Sequence, residues 1–193
     1  MLLCPANIAR DKSVQLFESL TIASAFATFD VECIGIVLGE AKQEKSGRVF
    51  FAEWAFPYQK AERKPREVVH DNGEKARLNH FLRNRIGGFH LHPTSLICKD
   101  KIRLNEYGVV WLSEDDRVYM KKHYPEGIEL VVGMKPINRI CPIRAGEFTF
   151  SGSVEYRGRL YRLEAGAYCL DGSQRKRRAA IEISKKDLER YLI

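Results

Sequence analysis

The first thing this chain lacks is a cysteine framework. Its five cysteines (Cys4, Cys33, Cys98, Cys141 and Cys169) are scattered, odd in number and form no C-x-x-C pair. Neither a disulfide scaffold nor a cysteine-held structural zinc is therefore expected, and the thiols read as reduced. Long apolar runs are missing as well: none approaches the ~18 or more residues of a spanning helix. The opening MLLCPANIARDKSVQ has neither the basic start nor the apolar stretch of a secretory signal. The expectation is a cytoplasmic protein with no membrane attachment. No internal repeat occurs, and no low-complexity tract beyond QRKRR, which leaves an ordinary folded domain.

What is present supports such a domain. The 193 residues are 45% hydrophobic and 30% charged, enough apolar material to bury a core beneath a solvated surface. Lys and Arg outnumber Asp and Glu by 32 to 25, a net charge of +7. The densest basic block is Arg175, Lys176, Arg177 and Arg178. Such a block is either a solvated face or a docking surface for nucleic acid or an acidic protein, and both readings stand at this point.

Periodicity gives a coarse map. Val14, Leu16, Phe17, Leu20, Ile22, Ala23, Ala25 and Phe26 fall at helical spacing after a cap at Asp11 or Ser13. Cys33 to Leu38 and Arg48 to Phe56 read as antiparallel strands joined by the polar loop AKQEKSG. A short strand at 67–70 precedes a helix over Glu74 to Arg85, and Gly87 and Gly88 are expected to turn the chain sharply into a strand, Phe89 to His92, stopped by Pro93. Residues 94–112 show no period and read as an inserted loop. Ser113 opens a short helix to about Lys122, and Gly127 to Met134 is a buried strand by its near-continuous apolar character. The stretch 148–168 alternates as a strand meander, and Lys185 to Leu192 suits a short helix. The tail strands are compatible with a longer sheet, an accessory module, or self-association through Tyr156, Tyr161 and Tyr168.

Chemistry concentrates in three strings. His90 and His92 are two apart on an expected strand, so both imidazoles leave the same face and can reach one ion. A catalytic zinc takes three protein ligands of this type and keeps a fourth position open. Asp116 is the candidate third ligand, at the head of the helix begun by Ser113; the plain alternative is that Ser113 and Asp116 form a helix-capping box. A zinc hydrolase also needs a carboxylate to move the proton of the attacking water. Glu32, heading the apolar run VECIGIVLG, is the candidate, with a solvated strand edge as its alternative. His70, His80 and His123 lie outside ligand spacing, and Cys98 is an ordinary loop cysteine. A zinc deaminase is disfavoured, because that signature wants H-x-E and P-C-x-x-C.

Taken together, over roughly Ser13 to Pro136, these strings resemble the JAMM zinc metalloproteases, the active MPN domain family. The shared pattern is Glu32 leading into a strand with Gly35 and Gly39, then His90-Leu91-His92-Pro93, then Ser113 through Asp116. The resemblance implies an α/β fold with a cytidine-deaminase-like curved mixed sheet flanked by helices, in a catalytic domain spanning 1–140. Residues 141–193 would form a β-rich extension carrying the basic tract and a short helix. It also implies a bound Zn2+ held by His90, His92 and Asp116, with Glu32 as general base and Ser113 stabilising the oxyanion. The implied reaction is hydrolysis of amide or isopeptide bonds at the C-terminus of ubiquitin or a ubiquitin-like protein. The family turn between Pro93 and Ser113 is shorter, so 94–112 reads as a rim insertion, with Tyr107 and Trp111 as substrate contacts or as residues pinning the loop to the core. The competing functions are a nucleic-acid-associated protein using Arg175 to Arg178 and a non-catalytic assembly module on the same scaffold.

Overall fold

The computed structural model describes residues 6–7, 33–44, 47–57, 62–64, 67–69, 84–92, 110–156, 158–182, 185–189 and 192–193. The expected helix over 11–28, residues 74–83 of the expected helix over Glu74 to Arg85, most of the 94–112 insertion, and Glu32, His70, His80 and Cys98 lie outside these residues; Arg85, expected to end that helix, lies in a strand instead.

The organising feature is one mixed sheet. Strand β1 is Ala6–Asn7, and β2 (Cys33–Glu44) and β3 (Gly47–Pro57) form a long antiparallel hairpin. Among the described residues, β4 (Glu62–Lys64) and β5 (Glu67–Val69) form a separate two-stranded antiparallel pair. β6 (Arg85–His92) lies antiparallel to β2 and parallel to β7 (Ile128–Pro136). The chain continues through β8 (Arg144–Ala145), β9 (Thr149–Tyr156), β10 (Arg159–Leu170), β11 (Lys176–Ala179) and β12 (Ile181–Glu182). The order across the ten-stranded sheet is β12-β1-β3-β2-β6-β7-β10-β9-β8, with β11 added to β10. Helix α1 is Glu114–His123 and α2 is Lys185–Leu188. The expected curved mixed sheet is present; among the described residues it is mostly strand with few helices, curled into a half-barrel.

The curl has a visible cause. The short run from β11 to β12 leaves β10, reaches β1 at the far end of the sheet order, and donates Ile181 N–H to the Glu147 carbonyl (2.7 Å) just ahead of β9. The strands after residue 141 thus extend the sheet: β10 pairs with β7 from Tyr161↔Pro136 to Cys169↔Ile128. Leu188 and Leu192 are buried in the main core.

Alternation along the central strands divides the interior in two. Leu130, Val132 and Met134 of β7 join Phe50, Phe89, Leu91 and Leu163 in the main core. Val131, on the opposite face of β7, joins Val110, Leu112, Met120, Tyr168 and Leu170 in a second cluster. Met120 brings α1 onto that second face. A parallel β6–β7 pair needs a crossover, and the chain from 93 to 127, which contains α1, supplies it.

Two expectations are corrected. The polar stretch 41–44 is strand, not loop: β2 and β3 stay in register to Glu44↔Gly47. Glu40, Ala41, Lys42 and Gln43 are exposed, so this arm needs no apolar side chains, only a partner for its backbone groups. Gly87 and Gly88 are inside β6, not at a helix-to-strand turn. Their role is close approach: a Cβ on Gly87 would fall 1.9 Å from the Ile128 carbonyl oxygen, and one on Gly88 would fall 2.6 Å from both Glu129 Oε2 and the Tyr124 hydroxyl oxygen.

Candidate metal centre

β6 sends Phe89 and Leu91 into the main core, so His90 and His92 must leave from the other face, beneath α1. They are 2% and 3% exposed, and their Nε2 atoms lie 3.2 Å apart with the rings tilted by 51°. At that distance the two ring nitrogens share a hydrogen bond, and the separation is also close to the ~3.3 Å between two ligands bonded at ~2.0–2.1 Å to one tetrahedral ion. Trp111 closes one side, its ring 4.1 Å from that of His92. Val110 and Leu112 beside it anchor the end of the insertion in the second core, and Trp111, itself buried, also lines a cleft beside Ser113.

The start of α1 brings the other two expected residues alongside. Ser113 is its N-cap, and the capping box is complete. Asp116 N–H donates to Ser113 Oγ (3.1 Å), while Asp116 Oδ2 accepts from Ser113 N–H (2.8 Å) and from the Ser113 hydroxyl (2.5 Å). The same Oδ2 lies 3.9 Å from His90 Nε2. Burial works to raise the Asp116 pKa, but the positive charge of a protonated His90 and the Ser113 hydrogen bonds outweigh it, leaving the carboxyl below its ordinary value. It is therefore carboxylate at neutral pH, the form a metal ligand must have. Among the described residues no three His, Cys, Asp or Glu side chains already converge on one point; Asp116 neighbours the histidine pair while remaining committed to its cap.

Behind His90 lies a group that sequence reading missed. Glu129 of β7 is 5% exposed. Its Oε1 is 2.8 Å from His90 Nδ1, and its Oε2 accepts a short hydrogen bond from the Tyr124 hydroxyl. Tyr124 is the C-cap of α1, with the Arg85 guanidinium 4.7 Å from its ring centroid. Burial, then the adjacent Glu129 charge, holds the Tyr124 pKa well above its ordinary value, so the phenol remains a donor. A signal was available: a glutamate inside the apolar run Gly127 to Met134 is a carboxylate in a doubly buried strand, where it must find partners.

Glu32 lies outside the described residues. Its chain neighbour Cys33 pairs with Leu91, between the two histidines. His123 is away from the centre, its ring 4.3 Å from that of Tyr119. A cleft of about 470 Å³ opens beside Ser113, lined by Trp111, Leu112, Glu114, Tyr168, Lys176 and Arg178. No model of a known family and no curated protein matches the chain.

Proposed function

We propose that the chain is a zinc metallohydrolase that cleaves amide or isopeptide bonds at the C-terminus of ubiquitin or a ubiquitin-like protein, on a cytidine-deaminase-like scaffold. The observation that carries this reading is the buried His90–His92 pair, with Nε2 atoms 3.2 Å apart and an ionised Asp116 beside it. His90, His92 and Asp116 would hold the ion, which when bound supplies Lewis acidity at the scissile carbonyl and a water of lowered pKa. Glu32 takes the proton of the attacking water and passes it to the leaving amine. Ser113, whose hydroxyl proton now goes to Asp116 Oδ2, turns it toward the developing oxyanion. The cleft beside Ser113 is the natural approach for an extended chain end.

The nucleic-acid alternative has less behind it. Lys176 Nζ donates to the Leu112 carbonyl at 2.8 Å, and Arg177 Nε to Asp171 at 2.9 Å, so part of the basic tract is engaged within the chain. Its test is binding to DNA or RNA across a salt series, since phosphate contacts weaken steeply with salt.

The deciding experiment pairs zinc titration with cleavage of ubiquitin-like conjugates. Wild type should bind one zinc and cleave, His92→Ala should lose both, and Glu32→Ala should keep the zinc and lose cleavage. A wild type that binds no zinc, or a Glu32→Ala protein that cleaves at the wild-type rate, overturns the assignment.

A further inference from the structure

We infer that Glu129 and Tyr124 form a positioning unit that fixes the tautomer and ring orientation of His90, presenting its Nε2 lone pair to the metal position. The inference rests on the metal reading above but concerns residues outside its ligand set.

The geometry is directional. A carboxylate only accepts, so the 2.8 Å contact between Glu129 Oε1 and His90 Nδ1 puts the proton on Nδ1. Neutral His90 then carries its lone pair on Nε2, the atom that faces His92 Nε2 at 3.2 Å and Asp116 Oδ2 at 3.9 Å. The second oxygen of Glu129 is held by the Tyr124 hydroxyl, so the carboxylate cannot rotate away from the ring.

Tyr124 in turn is fixed from three sides. Its N–H donates to Met120 and its carbonyl accepts from Gly127 N–H, both at 2.9 Å, and Arg85 lies over its ring. Gly88 makes the room: any β-carbon there would strike both Glu129 Oε2 and the Tyr124 hydroxyl. One short helix therefore reaches both nitrogens of one histidine, with Asp116 near its start beside Nε2 and Tyr124 at its end acting on Nδ1 through Glu129. Histidine ligands whose second nitrogen donates to a carboxylate gain basicity and a fixed orientation, and losing that partner typically weakens metal binding by about 10- to 100-fold.

A purely structural role would be to satisfy a buried carboxylate, and the test separates the two. The imidazole nitrogens of metal-free, 15N-histidine-labelled protein are assigned by long-range 1H–15N correlation at a pH where His90 is neutral. Zinc affinity is measured separately by competition with a chromophoric chelator. Wild type should show His90 protonated on Nδ1. Glu129→Gln, whose amide can donate to Nδ1 instead, should shift His90 toward the Nε2–H tautomer and lose about 10- to 100-fold in zinc affinity. Tyr124→Phe keeps the ring and its packing, and should give a smaller loss of the same kind even if Glu129→Gln fails to fold.

A wild-type His90 protonated on Nε2, or folded variants with wild-type tautomer and affinity, overturns the inference. If wild type binds no zinc, the metal reading falls and takes the purpose of the unit with it, while the nitrogen spectrum still decides whether Glu129 sets the tautomer.

Discussion

At the scale of single residues, Asp116 carries two demands that pull on the same oxygen. Oδ2 completes the cap of α1, yet it also lies 3.9 Å from His90 Nε2. Asp116→Asn separates the two. Asparagine retains an oxygen that can accept from Ser113, so the metal-free protein should lose about 1 kcal/mol or less, as for a weakened cap. The lost charge should reduce zinc affinity at least about 10-fold, the scale of a ligand-shell change. The pH dependence follows from the direction of the shift. The folded-state pKa lies below the unfolded value of about 3.9, so the stabilisation is complete above that value and disappears as pH falls through the lowered one. Denaturant melts of metal-free wild type and Asp116→Asn should therefore merge in acid and differ most just above the carboxylate range, and the part of the difference owed to a protonated His90 should fall away as that imidazole loses its proton at higher pH. An undiminished zinc affinity would confine Asp116 to the cap. Sequence spacing was enough to name His90, His92, Ser113 and Asp116, because H-x-H on a strand and S-x-x-D on a helix are local patterns. Glu129 escaped because its partner, His90, lies 39 positions away, a distance that no local pattern spans, and Tyr124 escaped with it because its hydroxyl reaches His90 only through Glu129.

At the scale of elements, β6 matters most, since it places both histidines and has neighbours on both sides. The two glycines near its start allow the β6 and β7 backbones and the Tyr124–Glu129 pair to come close. They read in the sequence as a turn because glycine pairs are turn signals, and the contrary information, close approach to a strand 40 residues onward, is tertiary. Gly87→Ala tests this. Its methyl would lie 1.9 Å from the Ile128 carbonyl oxygen and 2.9 Å from the Ile128 nitrogen, backbone atoms that cannot step aside without parting the strands. Overpacking of this kind costs about 1–3 kcal/mol. At ~2–4 °C per kcal/mol for a chain of this size, the thermal midpoint should fall by roughly 2–12 °C. Gly172→Ala is the control, because a methyl there meets nothing within 4 Å and should leave the midpoint nearly unchanged. Equal midpoints for the two variants would remove close packing as the reason for the glycines. Strands β2, β3, β7, β9 and β10 were largely legible, since alternation or continuous apolarity survives in a single sequence. The ends of the β2–β3 hairpin were not, because exposed ladder residues carry loop-like side chains.

At the scale of the whole molecule, the candidate centre sits where the parallel pair β6–β7 meets its crossover helix. Its parts come from β6 and from the start of α1, two stretches that only the folded sheet brings together. The order of the strands was not legible, because β10 reaches β7 across the β8–β9 turn and β12 reaches β1 from the opposite end of the chain. A metal bound to such a centre binds the folded state and not the dispersed ligands of the unfolded one, so zinc should act as a thermodynamic clamp. Free zinc at 100 times its dissociation constant would add about 2.7 kcal/mol, which corresponds to a rise of roughly 5–10 °C in thermal midpoint at this chain length. Scanning calorimetry of wild type with and without zinc should show that rise, and a chelator should reverse it. His92→Ala should remain flat, because one imidazole alone does not make the site. If zinc raises wild type and His92→Ala equally, the stabilising ion sits elsewhere; if it lowers both, binding to the unfolded chain dominates. Either result would separate the histidine pair from metal binding, even though both histidines remain buried side by side.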